Sequence, residues 1–214
     1  MLGEIKMEYE VRYYYPLKDI DKIKKKIENI NNLTKSNRKY EKTSQFNHSD
    51  KNYNFYSKEI DGRFRIRITK DINESKCKLS WKRRLATTTE SDINKEEEVE
   101  LNIMANEYDN LIFIVKNVLH MNEVESYERY RTTYSNNEIE IALDEYPFGL
   151  AVEIEAKKEE NSENIVRKYV DMLNLDANRK YRLSWDDKYE ELCKDQNIEH
   201  FNHVAFNKEM PEVK

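Results

Sequence analysis

The chain has 214 residues, of which 37% are charged and 11% aromatic, and its formal net charge is −5. No stretch approaches the roughly 18 consecutive apolar residues that a membrane helix needs, and no apolar run follows a basic start in residues 1–15, so we expect neither a membrane span nor a signal peptide, and a cytoplasmic protein. The acidic balance argues against a protein that coats nucleic acid, and three widely separated glycines exclude the glycine-rich phosphate loops of nucleotide-binding folds.

The first predicted elements are a strand and a helix. In residues 8–15, EYEVRYYY, charged side chains alternate with apolar and aromatic ones, which is typical of a strand with one charged face. Leucine and isoleucine then recur at three- and four-residue steps over 17–30, which predicts an amphipathic helix. Residues 34–54 are polar and show neither period, so we predict a loop there.

The middle of the chain alternates between basic and acidic strands. Arginines alternate with apolar residues over 63–68, and lysines do so over 76–82, so each predicted strand has a basic face. Beyond a predicted polar loop at 86–95, glutamates take the same alternate positions over 96–101. An apolar stripe over 108–119 predicts a second amphipathic helix.

Three further charged strands and two helices complete the pattern. Residues 127–131 carry a second pair of arginines on one face, and the segments 138–144 and 151–155 carry acids on one face. A third helix is predicted to begin near Ser162, and a shorter one covers 186–194. Because the strand pairs are joined by short loops and not by helical crossovers, the layout predicts an antiparallel α+β protein.

Seven predicted strands therefore share a charged face and an apolar face. A single strand of this kind usually has its charged face in solvent at the surface of a sheet. Seven strands whose charged faces are each almost entirely basic or almost entirely acidic are explained most economically by a barrel, with the charged faces inside and the apolar faces covered by helices. Buried charges must pair or meet a ligand of opposite sign. A triphosphate with divalent cations uses both signs, because Arg and Lys bind its oxygens and carboxylates bind hard cations such as Mg²⁺ or Mn²⁺.

Motifs along these strands occur in an order known from one superfamily. Glu8, Glu10 and Arg12 form an E-x-E-x-R strand, and the motifs RFRIR, LSWK, EVE, RYR and LDEYPFGLAVEIE follow it. The set resembles the CYTH, or triphosphate tunnel metalloenzyme, superfamily, which includes class IV adenylate cyclases and thiamine triphosphatase-like proteins. The signature of that family ends in lysine, whereas this chain has Arg12. Arginine keeps the positive charge but replaces a compact ammonium group by a planar guanidinium group with several donors.

The resemblance covers about residues 7–192. It implies an eight-stranded antiparallel β-barrel, a tunnel with a charged interior and flanking helices. The implied metal ligands are Glu8, Glu10, Asp144, Glu153 and Glu155. The implied phosphate ligands are Arg12, Arg65, Arg67, Lys82, Arg129 and Arg131. We place the tunnel domain at 1–195 and a polar C-terminal tail at 196–214.

The family resemblance favours a hydrolase that uses Mg²⁺ or Mn²⁺ and acts on inorganic triphosphate, a nucleoside triphosphate or thiamine triphosphate. A class IV adenylate cyclase, which converts ATP to cyclic AMP and diphosphate, shares the scaffold and stays open. A non-catalytic polyphosphate-binding module also stays open, because Arg12 departs from the signature. In each case the partner is a small molecule with a triphosphate group, no membrane or nucleic-acid partner is expected, and both a monomer and a homodimer are compatible with the pattern.

Overall fold

The computed structural model describes residues 5–54, 60–72, 74–85 and 92–214. Its strands are β1 (Lys6–Tyr15), β2 (Thr34–Lys35), β3 (Lys39–His48), β4 (Gly62–Lys70), β5 (Ser75–Arg84), β6 (Asn94–Ile103), β7 (Met121–Ser135), β8 (Ile139–Tyr146), β9 (Gly149–Ala156), β10 (Lys180–Tyr181) and β11 (His203–Val204). The α-helices are α1 (Ile20–Glu28), α2 (Tyr108–Phe113), α3 (Ser162–Leu173) and α4 (Trp185–Gln196). A π-helical segment, Ile114–Val118, continues α2.

Eight of the strands close into an antiparallel barrel. Around the ring, each strand is hydrogen-bonded to the next in the order β1, β6, β5, β4, β3, β7, β8, β9 and back to β1. The closing pair β1 and β9 places Glu10 opposite Glu155 and Arg12 opposite Glu153. The short strands β2, β10 and β11 extend this ring at β7 and β1. The predicted eight-stranded α+β barrel is therefore confirmed.

The predicted loop over 34–54 was wrong, because it contains β2 and one wall of the barrel, β3. The β3 sequence KYEKTSQFNH alternates weakly, since its tunnel side carries Glu41, Thr43 and Gln45 and the other side is only partly apolar. Its backbone pairs with β4 on one side and with β7 on the other. Partners distant in sequence therefore make this strand. Of the predicted loop 86–95, residues 86–91 lie outside the described part of the chain, and the last two residues belong to β6.

The helices cover the apolar outside of the barrel. Helix α1 buries Ile23 and Ile27, and α3 buries Val166 and Leu173, against the outer faces of β1, β8 and β9. These contacts follow from the amphipathic period, because residues three and four apart share one helix face. Helix α2 packs on the outer faces of β4 and β5 around the buried Ile66. With their apolar faces covered from outside, the strands turn their charged faces to each other.

Helix α4 closes one end of the barrel. Ser184 precedes it and forms a capping box with Asp187, in which each side chain bonds the other's backbone NH, so the helix start is firmly held. Trp185 follows at once and packs on Tyr127 and Tyr189 in a cluster of aromatic side chains. The start of α4 thus closes the barrel interior with aromatic side chains. We call the cluster of Trp185, Tyr189, Tyr146 and Phe148 the aromatic floor.

Residues 196–214 pack on the same cluster. Strand β11 pairs in parallel with β7, and Val204, Met210 and Val213 are buried beneath α4. The predicted boundary between a domain at 1–195 and a tail at 196–214 stays a prediction, but the tail segment shares apolar core with the barrel. Within the described residues, none of the helices combines the length and the apolar character needed to cross a bilayer.

Candidate functional site

The charged strand faces line one cavity inside the barrel, with a volume of about 210 Å³. All seven strands predicted from the alternating pattern contribute side chains to it, and Ser184 and Trp185 line it from the start of α4. Nine of the eleven predicted site residues line this cavity: Glu8, Arg12, Arg65, Arg67, Lys82, Arg129, Arg131, Glu153 and Glu155. The other two, Glu10 and Asp144, are buried in the wall and bonded to lining residues. The structure therefore brings the whole predicted set together.

Three of the predicted metal ligands form one carboxylate group. Oxygens of Glu8, Glu10 and Glu155 lie within 4.8 Å of one another. The arrangement follows from the sheet register, because β1 turns residues 8 and 10 to the same face and β9 sets residue 155 directly opposite residue 10. Hereafter we call Glu8, Glu10 and Glu155 the acidic triad.

Two lysines reach into the acidic triad. The Lys82 ammonium lies 2.8 Å from Glu8 and 3.4 Å from Glu10, and also 2.7 Å from Glu96. Lys6 lies 2.9 Å from both Glu8 and Glu155. The triad therefore already attracts cationic groups.

The ammonium groups do not offset all the negative charge at the triad. Burial, and then the negative charge of Glu8, raise the pKa of Glu155 to about 8. Burial and a hydrogen bond with Glu8 raise the pKa of Glu98 to about 7. Since the donors are carboxyl oxygens, the triad fits a hard divalent cation such as Mg²⁺ or Mn²⁺, whose charge would favour the ionised form of Glu155.

The other two predicted metal ligands are held by arginines. Arg131 grips Asp144 with two hydrogen bonds of 2.6 Å each, and Arg129 adds one of 2.8 Å. Glu153 accepts hydrogen bonds from Arg12 at 3.0 Å and from Arg131 at 3.2 Å. In the described residues neither carboxylate belongs to the acidic triad, so their role as metal ligands stays a prediction.

Arginines of β4 and β7 form the opposite side of the cavity, which we call the basic wall and define as Arg65, Arg67, Arg129 and Arg131. Arg65 reaches Glu98 at 3.0 Å, while Arg67 donates to the Thr43 hydroxyl at 3.0 Å. Burial, together with the positive charge of Arg67, lowers the pKa of Arg65, which is the expected sign where cations exceed their carboxylate partners. An anion in the cavity would relieve this excess.

Sequence reasoning missed Glu41, which lies behind the basic wall. Its carboxylate accepts a hydrogen bond of 2.8 Å from Arg129 and lies 3.8 Å from Arg67. Glu41 is on β3, and the absence of apolar alternation there hid the strand. The one available signal was the polar alternation of Glu41, Thr43 and Gln45, which is weak by itself.

No known protein-family model matches the sequence, and no curated protein matches it either. Solved structures do match the fold. One is a candidate adenylate cyclase from Vibrio parahaemolyticus, at 14% identity over 85% of this chain and 97% of that chain, with a TM-score of 0.64. Another is a candidate adenylyl cyclase from Hippeastrum described as having a dominant triphosphatase activity, at 15% identity over 86% of this chain and 95% of that one, with a TM-score of 0.56. These matches show that the chain shares its fold with these proteins, as the sequence motifs implied.

The tunnel fold also occurs outside proteins described as cyclases or triphosphatases. A chain of the Schizosaccharomyces pombe Mediator head module matches at 8% identity over 79% of this chain and 95% of that chain, with a TM-score of 0.60. A shared tunnel therefore does not decide an activity, which depends on the side chains inside it.

Proposed function

We propose that this protein is a metal-dependent phosphohydrolase that binds the triphosphate group of its substrate inside the tunnel. The observation that carries the proposal is the pairing of the acidic triad with the basic wall in one cavity. Neither half would be stable without its ligand or its partners, because buried charge of one sign is costly. A triphosphate with a divalent cation satisfies both halves at once.

The basic wall would hold the phosphates. Guanidinium groups bind phosphate oxygens through paired hydrogen bonds, and four of them, on β4 and β7 to either side of β3, can hold a chain of phosphates in line. Arg12 and Lys82 stand between the basic wall and the acidic triad, since Arg12 bonds both Glu10 and Glu153, and Lys82 bonds Glu8. These two cations would neutralise the end of the phosphate chain that lies nearest to the carboxylates.

The acidic triad would hold the cation. A bound Mg²⁺ or Mn²⁺ supplies charge neutralisation on the phosphate oxygens and an acidified water. The chain's own contribution would be the position of the three carboxyl groups, which the strands β1 and β9 bring together, and the Lys82 ammonium beside them, which could turn to the phosphates once a cation is bound.

The test is a substrate panel that identifies products. Inorganic triphosphate, ATP and thiamine triphosphate are incubated with Mg²⁺, Mn²⁺ or a chelator, and the products are separated. Release of phosphate or diphosphate that stops with chelator supports the proposal. Cyclic AMP plus diphosphate from ATP would replace it with a cyclase, and tight binding of triphosphate without turnover under every condition would replace it with a binding module.

Matched variants connect the panel to the site. Glu8→Gln removes one charge from the acidic triad with little change in volume, and we expect turnover to fall at least about 100-fold, a loss typical of a missing electrostatic group. Glu97→Gln is the control, because Glu97 lies on the outside of β6 and pairs there with Arg83. Equal turnover of Glu8→Gln and Glu97→Gln would contradict the assignment of the triad.

A further inference from the structure

Tyr127 occupies the point where the basic wall meets the aromatic floor. It lies on the inward face of β7, lines the cavity and is 2% exposed. Its ring centroid is 4.5 Å from that of Trp185 and 5.6 Å from that of Tyr146. Because the ring is packed between two aromatic neighbours, the position of its hydroxyl is set before any ligand binds.

The hydroxyl of Tyr127 accepts a hydrogen bond from the basic wall. Arg67 donates to it at 3.4 Å, and interaction with the Thr43 hydroxyl further lowers the pKa of Tyr127. The oxygen of Thr43 itself accepts a hydrogen bond of 3.0 Å from Arg67. Within the described part of the chain, no carboxylate or carbonyl oxygen accepts the hydrogen of Tyr127. That hydrogen is available to a group in the cavity.

The surroundings of Tyr127 favour loss of its proton. The groups that face it are Arg65 and Arg67 from β4, Arg129 from β7, Thr43 from β3, Tyr146 from β8 and Trp185 from α4, with Glu41 of β3 behind the arginines. Burial alone raises the pKa of a tyrosine, but the charges of Arg129, Arg67 and Arg65 outweigh burial and lower the pKa of Tyr127 to about 7.

Tyr146 provides a comparison within the same cavity. Its hydroxyl accepts a hydrogen bond of 3.2 Å from Arg129, so it also contacts a guanidinium group. Burial and the carboxylate of Asp144 nevertheless raise the pKa of Tyr146 above its usual range. The ring centroids of the two tyrosines are 5.6 Å apart, yet their surroundings favour opposite protonation states. Those of Tyr127 favour the phenolate, and those of Tyr146 favour the neutral phenol.

We propose that Tyr127 is a catalytic residue that donates its proton to the leaving diphosphate, an inference that rests on the proposed hydrolase function. Water attacks the terminal phosphorus, and the bond from that phosphorus to the bridging oxygen breaks. The bridging oxygen keeps the electron pair and takes the proton of Tyr127. The arginines stabilise the phenolate until it regains a proton from solvent, and the proton lost by the attacking water also passes to solvent, so that triphosphate and water become diphosphate and phosphate.

The test compares Tyr127→Phe with Tyr146→Phe and the wild type across pH. General acid catalysis contributes at least about 100-fold, so we expect kcat of Tyr127→Phe to fall by that factor while KM for inorganic triphosphate changes little. In the wild type, kcat/KM should fall as pH rises through about 7, because the phenolate cannot donate. The same fall in kcat should lie at higher pH, since bound triphosphate opposes the phenolate charge. Tyr146→Phe, which loses only the hydroxyl that Arg129 contacts, should keep this alkaline fall.

The comparison separates the outcomes. Titration of the substrate itself is common to all three proteins, so an alkaline fall present in the wild type and Tyr146→Phe but lost in Tyr127→Phe supports the proposal. The proposal is overturned if Tyr127→Phe keeps kcat within about threefold, far below the effect of a lost general acid, or if only its KM rises. Ultraviolet difference spectra of wild type against Tyr127→Phe must also show a tyrosinate forming near pH 7.

Failure of the proposed function would look different. In that case the wild type would hydrolyse no triphosphate at any pH, whether or not calorimetry registers binding of inorganic triphosphate to wild type and variant alike. A fall in kcat confined to Tyr127→Phe requires a wild type that turns over. The two failures are therefore distinguishable in one set of experiments.

Discussion

The acidic triad and the basic wall face each other across one cavity and are alike in holding several buried charges of one sign, negative in the triad and positive in the wall. Each concentrates like charges that burial makes costly. The excess appears where a group has too few partners of opposite charge: at the triad the pKa of Glu155 is raised, and at the basic wall the pKa values of Arg65 and Tyr127 are lowered. The difference teaches that the two sides demand different ligands, a cation on one side and an anion on the other.

The largest expected effect comes from breaking the basic wall at Arg129. Arg129→Met leaves the carboxylates of Glu41 and Asp144 buried without that partner, and removal of one member of a buried charge network costs about 3–5 kcal/mol. Urea unfolding should show this loss. Arg38→Met is the control, because Arg38 pairs with Glu145 on the outside and should cost at most about 1 kcal/mol. Equal losses would mean that the wall is not energetically special.

Ligand binding should separate the two sides. Saturating ligand at about 100 times its Kd stabilises a fold by about 2.7 kcal/mol, which raises Tm by several degrees. We expect Mn²⁺ to raise the Tm of wild type and Arg65→Met but not of Glu10→Gln. Inorganic triphosphate without metal should raise the Tm of wild type and of Glu10→Gln, and it should raise the Tm of Arg65→Met by a smaller amount. Loss of both responses in both variants would show that the sides act as one site.

Glu125, a carboxylate away from the acidic triad, tests how a raised pKa changes the stability of the fold with pH. Burial and the charge of Asp186 raise the pKa of Glu125 to about 7, and its main contact is a hydrogen bond of 2.7 Å from Gln45. Because the folded pKa exceeds the unfolded value, this group contributes stability that is complete below about pH 4.3 and is lost as pH rises through 7.

Glu125→Gln should therefore match the wild type at pH 4 and be more stable than it at pH 8, by about 1–3 kcal/mol. Thermal unfolding across this range checks the difference between the two proteins. A constant difference at every pH would contradict the assigned titration.

The smallest effect is expected at the rim of the tunnel. Lys78 pairs with Glu100 at 2.7 Å, and both side chains are about one-third exposed. Exposed pairs contribute about 0–1 kcal/mol, so Lys78→Met should change the free energy of unfolding by no more than that. A loss as large as that of Arg129→Met would place Lys78 inside the buried network.

Several features of the site could be predicted from sequence because strand alternation sorts side chains by face. Arg65 and Arg67, or Glu8 and Glu10, share a face whatever their neighbours are, since successive side chains point to opposite sides. Glu41 could not be found this way, because β3 owes its conformation to pairing with β4 and β7 and not to an apolar period. The division of the predicted metal ligands into the acidic triad and the two carboxylates held by arginines could not be predicted either, because it depends on which strands are neighbours in the barrel.

By itself the sequence determined most of the residues that form charged strand faces, which stretches form covering helices, and that acids and bases inside the barrel must pair or meet a ligand. These follow from local periods of two and 3.6 residues. Tertiary structure alone decided that Asp144 meets Arg131, directly opposite on the adjacent strand, while Glu155 meets Glu10 and joins the acidic triad. The reason is physical: alternation defines a face, but barrel closure and register define the neighbour across it, and the neighbour sets the charge balance.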